Sequence, residues 1–181
     1  MELIDGVWLA LSFDNVETLR NRLVPKKIEV FIWRARRGRI PVRIELDKCG
    51  IDLHSIRCPI CDEDLESVEH ILFSCSFAKD IWGKVLNWWG YSSANFIFGD
   101  IFEGTFGSFA SDDKKTIWQD LCWCVCYSLW KSQNSKVFNN KVVTAPVLFS
   151  EIQVASFEWI SRRIKKHNLD WHRWFNFPLS S

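Results

Sequence analysis

The stretch Cys58-Pro59-Ile60-Cys61-Asp62-Glu63-Asp64-Leu65-Glu66-Ser67-Val68-Glu69-His70-Ile71-Leu72-Phe73-Ser74-Cys75 decides how the rest of the chain is read. It carries two cysteines separated by two residues, a histidine after eight more, and a third cysteine after four more. The pattern is C-x2-C-x8-H-x4-C. A tetrahedral Zn²⁺ takes four soft or borderline donors, with Zn–S near ~2.3 Å and Zn–N near ~2.1 Å. A C-x2-C turn folds back on itself and presents two thiolates to one side of an ion. An H-x4-C pair does the same only across a helix end. Five steps of about 100° leave His70 and Cys75 roughly 140° apart on a regular helix. The helix that carries His70 must therefore end or unwind near Ser74. Ser67 suits its N-cap, and Glu69 suits the positive end of its dipole. With Cys58, Cys61, His70 and Cys75 all used, such a site is closed and structural, holding one zinc with no position left for a catalytic water. His54 falls outside the spacing and reads as a solvated loop residue.

Composition supports a folded chain around this cluster. The 181 residues are 48% hydrophobic and 25% charged, with 11 Trp against 2 Tyr. Trp buries a large area per residue and fills a small helical core efficiently. No run approaches the roughly 18 apolar residues of a membrane helix. Glu2 and Asp5 stand where an export signal carries Lys or Arg. A nuclear or cytoplasmic, non-secreted protein is expected. The 7 Cys are then metal ligands or buried apolar groups rather than disulfides.

Hydrophobic spacing gives a mainly α fold with few or no strands. Asp14 to Val24 reads as a short helix. Ile28, Phe31, Ile32 and Ala35 line one face of a second, which Gly38 closes, while Val30 and Trp33 lie on another face. Pro41 suits the first residue of a short helix ending at Gly50. Ser76 is a candidate cap for a helix whose face is Phe77, Ile81, Trp82, Val85, Trp88 and Trp89, ending at Gly90. Residues 91–111 are rich in Gly, Ser and Phe and read as a connecting loop. Asp112 opens a long helix to about Phe138 with the stripe Ile117, Trp118, Leu121, Val125 and Leu129. Thr144 and Pro146 open the last helix, with Leu148, Ile152, Ala155, Trp159 and Ile160 on its face and Arg162, Arg163, Lys165 and Lys166 at its end. The expected organisation is a zinc-knuckle module over 8–90, the loop 91–111, and a helical C-terminal hairpin within 112–175.

The order of these features resembles a known family. The run Pro25-Lys26-Lys27-Ile28 to Phe31-Ile32-Trp33-Arg34, then Gly38-Arg39-Ile40-Pro41-Val42-Arg43, Leu46 to Gly50, the Cys/His cluster and Trp82 is similar to the reverse-transcriptase zinc-binding domain of plant LINE-type (non-LTR) retrotransposons. Trp130-Lys131-Ser132-Gln133-Asn134 with Phe138 is similar to the W-K-x-R-N-x-x-x-F helix that often ends such polyproteins, with Gln133 in the place of the usual Arg. The resemblance implies a non-catalytic, nucleic-acid-associated module from a polyprotein, and implies Cys58, Cys61, His70 and Cys75 as its zinc ligands. It implies the rest of that polyprotein as a partner. It does not imply polymerase activity, which needs paired carboxylates on a palm sheet.

Other constellations have simpler readings. Ser111-Asp112-Asp113 could be compared with a polymerase aspartate pair, but it precedes a helix stripe and fits the start of a helix dipole. Cys122, Cys124 and Cys126 have no His nearby in sequence and read as core. The Trp88-Trp89 pair could stack bases but keeps the spacing of a core face. Residues 20–48 hold ten Lys/Arg and three acids, a local balance of +7 in a chain of net charge +1. Lys26, Lys27, Arg34, Arg36, Arg37, Arg39 and Arg43 are the candidate contacts to RNA or DNA, since phosphate neutralisation needs clustered cations. The acidic run Asp62, Glu63, Asp64, Glu66 and Glu69 would repel phosphate beside the metal. The other reading of the chain is a protein-interaction or scaffold module, or an inactive retroelement relic, that binds no nucleic acid.

Overall fold

The computed structural model describes residues 23–91, 112–164 and 169–176. The expected helix over Asp14–Val24 falls almost wholly outside these residues, as do the loop 91–111 beyond Tyr91, Arg20, Arg22, Ser111, Lys165 and Lys166. Six α-helices and one π turn follow in chain order: α1 (Lys26–Arg36), α2 (Arg43–Lys48), the π turn (His70–Ser74), α3 (Ser76–Trp88), α4 (Asp112–Asn139), α5 (Ala145–Ser161) and α6 (Trp171–Asn176). The fold is mainly helical. The only β pairing among the described residues is an isolated antiparallel bridge between Arg57 and Leu65.

α4 is the centre of the described fold. It packs against α1, α5 and the π turn, while α3 and α6 both pack on α5. The expected stripe of α4 is buried, but so are Asp120, Cys122, Trp123, Cys124 and Cys126. A helix enclosed on several sides loses its one-sided pattern. The tryptophans link the elements. Trp89 of the α3 C-terminus lies 5.2 Å from Trp118 of α4 and 6.0 Å from Trp174 of α6. The Trp174 indole N–H donates to the Gln153 carbonyl of α5 at 3.1 Å. Trp88 is half-buried and donates to the Phe175 carbonyl at 2.9 Å, so the pair at 88–89 belongs to the core.

Chain punctuation follows local chemistry. Gly38 has φ +61°, and Arg39 N–H bonds the Arg34 carbonyl at 2.8 Å. That six-to-one bond closes α1, and a left-handed residue at this position favours glycine. α2 starts later than expected. Val42 is extended and Pro41 lies outside the helix. The cap comes from far away: Arg43 N–H donates to the Glu66 carboxylate at 3.0 Å. α3 also starts differently, because Cys75 and not Ser76 holds the cap position. α5 ends at Ser161, and its buried face is Ala145, Leu148, Ile152, Gln153, Ser156 and Ile160. Ala155 and Trp159 of the expected stripe are only half-buried.

Candidate metal centre

The C-x2-C knuckle is a tight reversal. Cys58 N–H bonds the Asp64 carbonyl at 2.8 Å and Asp62 N–H bonds the Cys58 carbonyl at 2.9 Å. Asp62 completes the turn at φ +56°, where a short polar side chain is tolerated better than most. Arg57 clamps the far side, its guanidinium donating to the Asp62 and Glu63 carbonyls at 3.2 and 3.1 Å.

The second pair meets through the π turn. Ser67 Oγ accepts the His70 N–H at 3.0 Å and caps the turn. Cys75 N–H then bonds the His70 carbonyl at 2.8 Å. This bond spans five residues and brings residue 75 back over residue 70, which a regular helix would not do. Cys75 then leaves the turn in an extended conformation. The helix thus ends at Ser74, where the ligand spacing requires it to.

Together the two pairs set one donor atom each from Cys58, Cys61, His70 and Cys75 within 4.8 Å of one another. The Cys61 sulfur lies 3.3 Å from His70 Nε2. Tetrahedral bonds near 2.3 Å space their donors by about 3.8 Å, inside that spread. Cys58, His70 and Cys75 are buried and Cys61 is half-buried. Three thiols and an imidazole suit zinc, and four convergent protein donors fill its shell. Among the described residues no other group of three or more His, Cys, Asp or Glu could hold a metal ion.

Surrounding groups prepare the donors. A hydrogen bond from Cys58, followed by the N–H groups of Phe77 and Ala78, holds the Cys75 thiol down to about 5 against the effect of burial. Those amides belong to the first turn of α3, at whose N-cap position Cys75 lies. The same hydrogen bond, with burial, pushes Cys58 up. His70 Nδ1 faces Ser74 Oγ at 3.4 Å and the exposed Asp64 carboxylate at 3.7 Å. A carboxylate on the outer nitrogen orients a ligating imidazole and fixes its tautomer. Spacing alone pointed neither to Asp64 nor to Ser74.

Glu66 belongs to the frame of the site rather than to an acidic surface. It is buried, unlike Asp62, Glu63, Asp64 and Glu69. Burial raises its carboxyl, while the Arg43 N–H, the Arg43 charge and a hydrogen bond from Gln133 oppose that. The carboxylate therefore ties the knuckle to α2 and to the middle of α4. His54 is exposed, as expected. Cys122, Cys124 and Cys126 are fully buried in α4, and burial pushes all three thiols up. Such thiols are packing groups without a thiolate's reactivity.

The candidate phosphate contacts divide by environment. Arg34, Arg37 and Arg39 are exposed. Lys26 is exposed and bonds Glu29 at 2.7 Å. Lys27 lies 5.7 Å from the Tyr127 ring and 6.0 Å from the Trp159 ring. Arg36 is half-buried over Trp123. Arg43 pairs with Glu66 and donates to the Ser55 and Arg57 carbonyls at 3.2 and 3.0 Å. Asp112 and Asp113 sit in the first turn of α4. Among the described residues no helix is long and apolar enough to cross a membrane.

Residues 9–82 match the family model described as zinc-binding in reverse transcriptase. That span contains both candidate ligand pairs, α1 and α2. No curated protein and no solved structure matches the chain.

Proposed function

We propose that this chain is a zinc-stabilised, non-catalytic module that holds nucleic acid on the basic face of α1 and the turn after it. The convergence of Cys58, Cys61, His70 and Cys75 within 4.8 Å carries the reading. One Zn²⁺ per chain, bound by all four, keeps the knuckle folded and leaves no open position for chemistry. The match of residues 9–82 to a zinc-binding segment of reverse transcriptases favours an origin in a LINE-type, plant retroelement polyprotein, with the rest of that polyprotein as a partner. Work beside RNA or DNA in the nucleus or cytoplasm follows from that origin.

Arg34, Arg37 and Arg39 are the central phosphate contacts, with Lys26 and Lys27 beside them. Arg suits fork-like contact to phosphate oxygens. Arg36 and Arg43 are engaged inside the fold and support the face instead. With no base-reading element among the described residues, affinity is expected in the non-specific range, about 10⁻⁴–10⁻⁶ M at physiological salt. Fluorescence anisotropy with labelled RNA and DNA across a salt series tests this. Arg34→Ala, Arg37→Ala and Arg39→Ala combined should weaken all nucleic acids and lower the log–log salt slope by roughly 2–3. Zinc content should stay unchanged. Salt-independent behaviour in the parent chain, or equal binding by the triple variant, would return the module to a protein-docking role.

A further inference from the structure

Viewed down its axis, α1 divides into two arcs. At about 100° per residue, Ile28, Phe31, Ile32 and Ala35 fall together and are buried. Lys26, Lys27, Val30, Trp33, Arg34 and Arg37 share an opposite arc of about 120°, and all six are exposed. That arc carries four cations and no acid. Glu29, the helix's one carboxylate, is buried beside it and bonded to Lys26. Trp33 keeps 40% of its surface open and Val30 keeps 51%, in a protein that buries Trp82, Trp89, Trp118, Trp123 and Trp174 almost completely. The Arg37 guanidinium lies 4.4 Å from the Trp33 ring centroid. An open indole at the edge of a cationic arc combines a π-face with positive charge.

We propose that Trp33 is a base-stacking residue and that the ligand of this face is a single-stranded nucleic acid. This rests on the nucleic-acid reading above, and adds which residue meets the bases and which form of strand is bound. A duplex turns its base faces inward and offers a flat surface only phosphates. A single strand offers unstacked bases, each with a π-face that an indole can cover without regard to sequence. Phosphates on either side then meet Arg34, Arg37 and Lys26. Arg37 already lies on the indole, so its charge is held close to the stacked base.

The test is anisotropy on the full chain with four labelled probes of about 12 nucleotides, a length within the site sizes of single-strand binders. The probes are single-stranded RNA, single-stranded DNA, an abasic DNA strand and a DNA duplex. Trp33→Ala should weaken both single strands by about 5- to 150-fold, leave the abasic strand and duplex unchanged, and keep the salt slope. Trp33→Phe should restore most of the loss. Bound zinc, read by native mass spectrometry, should be the same in all variants, since Trp33 is exposed and no ligand. An equal loss on normal and abasic strands, a loss confined to one sugar, or no loss at all overturns the proposal. If the parent chain binds none of the probes, the nucleic-acid reading falls with it. If salt-dependent binding survives in the parent and Trp33 is neutral, only the stacking role falls.

Discussion

Residues 49–65 and residues 117–126 of the same fold are held in opposite ways. In the first stretch only Cys58 is buried. In the second, only Gln119 is not. The α4 stretch is stabilised by desolvation, as at Trp118, Leu121 and Trp123, and by contacts between large rings, as at Trp118. The knuckle stretch leaves much of its apolar surface unburied, with Ile51 and Leu65 exposed. It depends on backbone turns, on Arg43 and Arg57 bonding main-chain carbonyls, and on Cys58 and Cys61. Exposed hydrogen bonds are worth about 0.5–1.5 kcal/mol each. Ordering one residue costs about 1–2 kcal/mol. Hydrogen bonds alone do not carry such a loop; a metal held by the four candidate ligands would couple its binding to folding there. A core held by burial thus stands beside a lobe whose convergent Cys and His donors are placed for coordination.

Removing a central ring should strike the burial side hardest. Trp118 is fully buried, 5.2 Å from Trp89 and 5.8 Å from Tyr91. Trp118→Ala should cost about 3–5 kcal/mol, lowering Tm by roughly 6–20 °C for a chain of this size. Zinc should remain bound in the surviving folded fraction. A calorimetric scan with metal analysis checks both points, and a loss of zinc at temperatures where the helices persist would erase the division.

A smaller effect is expected where the two regimes join. Glu66→Ala leaves the Arg43 N–H without its acceptor and the Arg43 guanidinium without its carboxylate, and should cost about 1–3 kcal/mol. Hydrogen exchange should rise at the amides of α2 and stay slow across Ile117–Cys126. Uniformly faster exchange along the chain would mean that Glu66 supports the whole core rather than the seam.

What the sequence discloses follows the same line between local and distant. The mainly helical class is legible because apolar periodicity acts within a turn or two. The glycines at 38, 50 and 90, all with positive φ, mark helix ends for the same reason. The meeting of Cys58, Cys61, His70 and Cys75 is legible because each pair spans only a few residues and tetrahedral chemistry restricts the spacing. Even the end of the helix at Ser74 follows from the angle between His70 and Cys75. Contacts across the fold are not legible in this way. Glu66 looks like one more acid in an acidic run, yet its partners Arg43 and Gln133 lie 23 and 67 positions away. Arg36 and Arg43 count as surface charge until Trp123 and Glu66 are seen beside them. Ser76 is the better cap by residue type, but Cys75 takes the position because the π turn ends there in an extended conformation.

The coordination claim is tested most directly by native mass spectrometry of the full chain and two single variants, Cys61→Ser and Cys124→Ser. Cys61 is half-buried in the knuckle and Cys124 fully buried in α4, so both changes swap a sulfur for an oxygen in opposite regimes. One Zn²⁺ is expected on the parent chain and on Cys124→Ser, and its loss from Cys61→Ser together with fast hydrogen exchange over residues 54–75. A parent chain purified without zinc, or the same metal loss from both variants, would contradict the coordination claim.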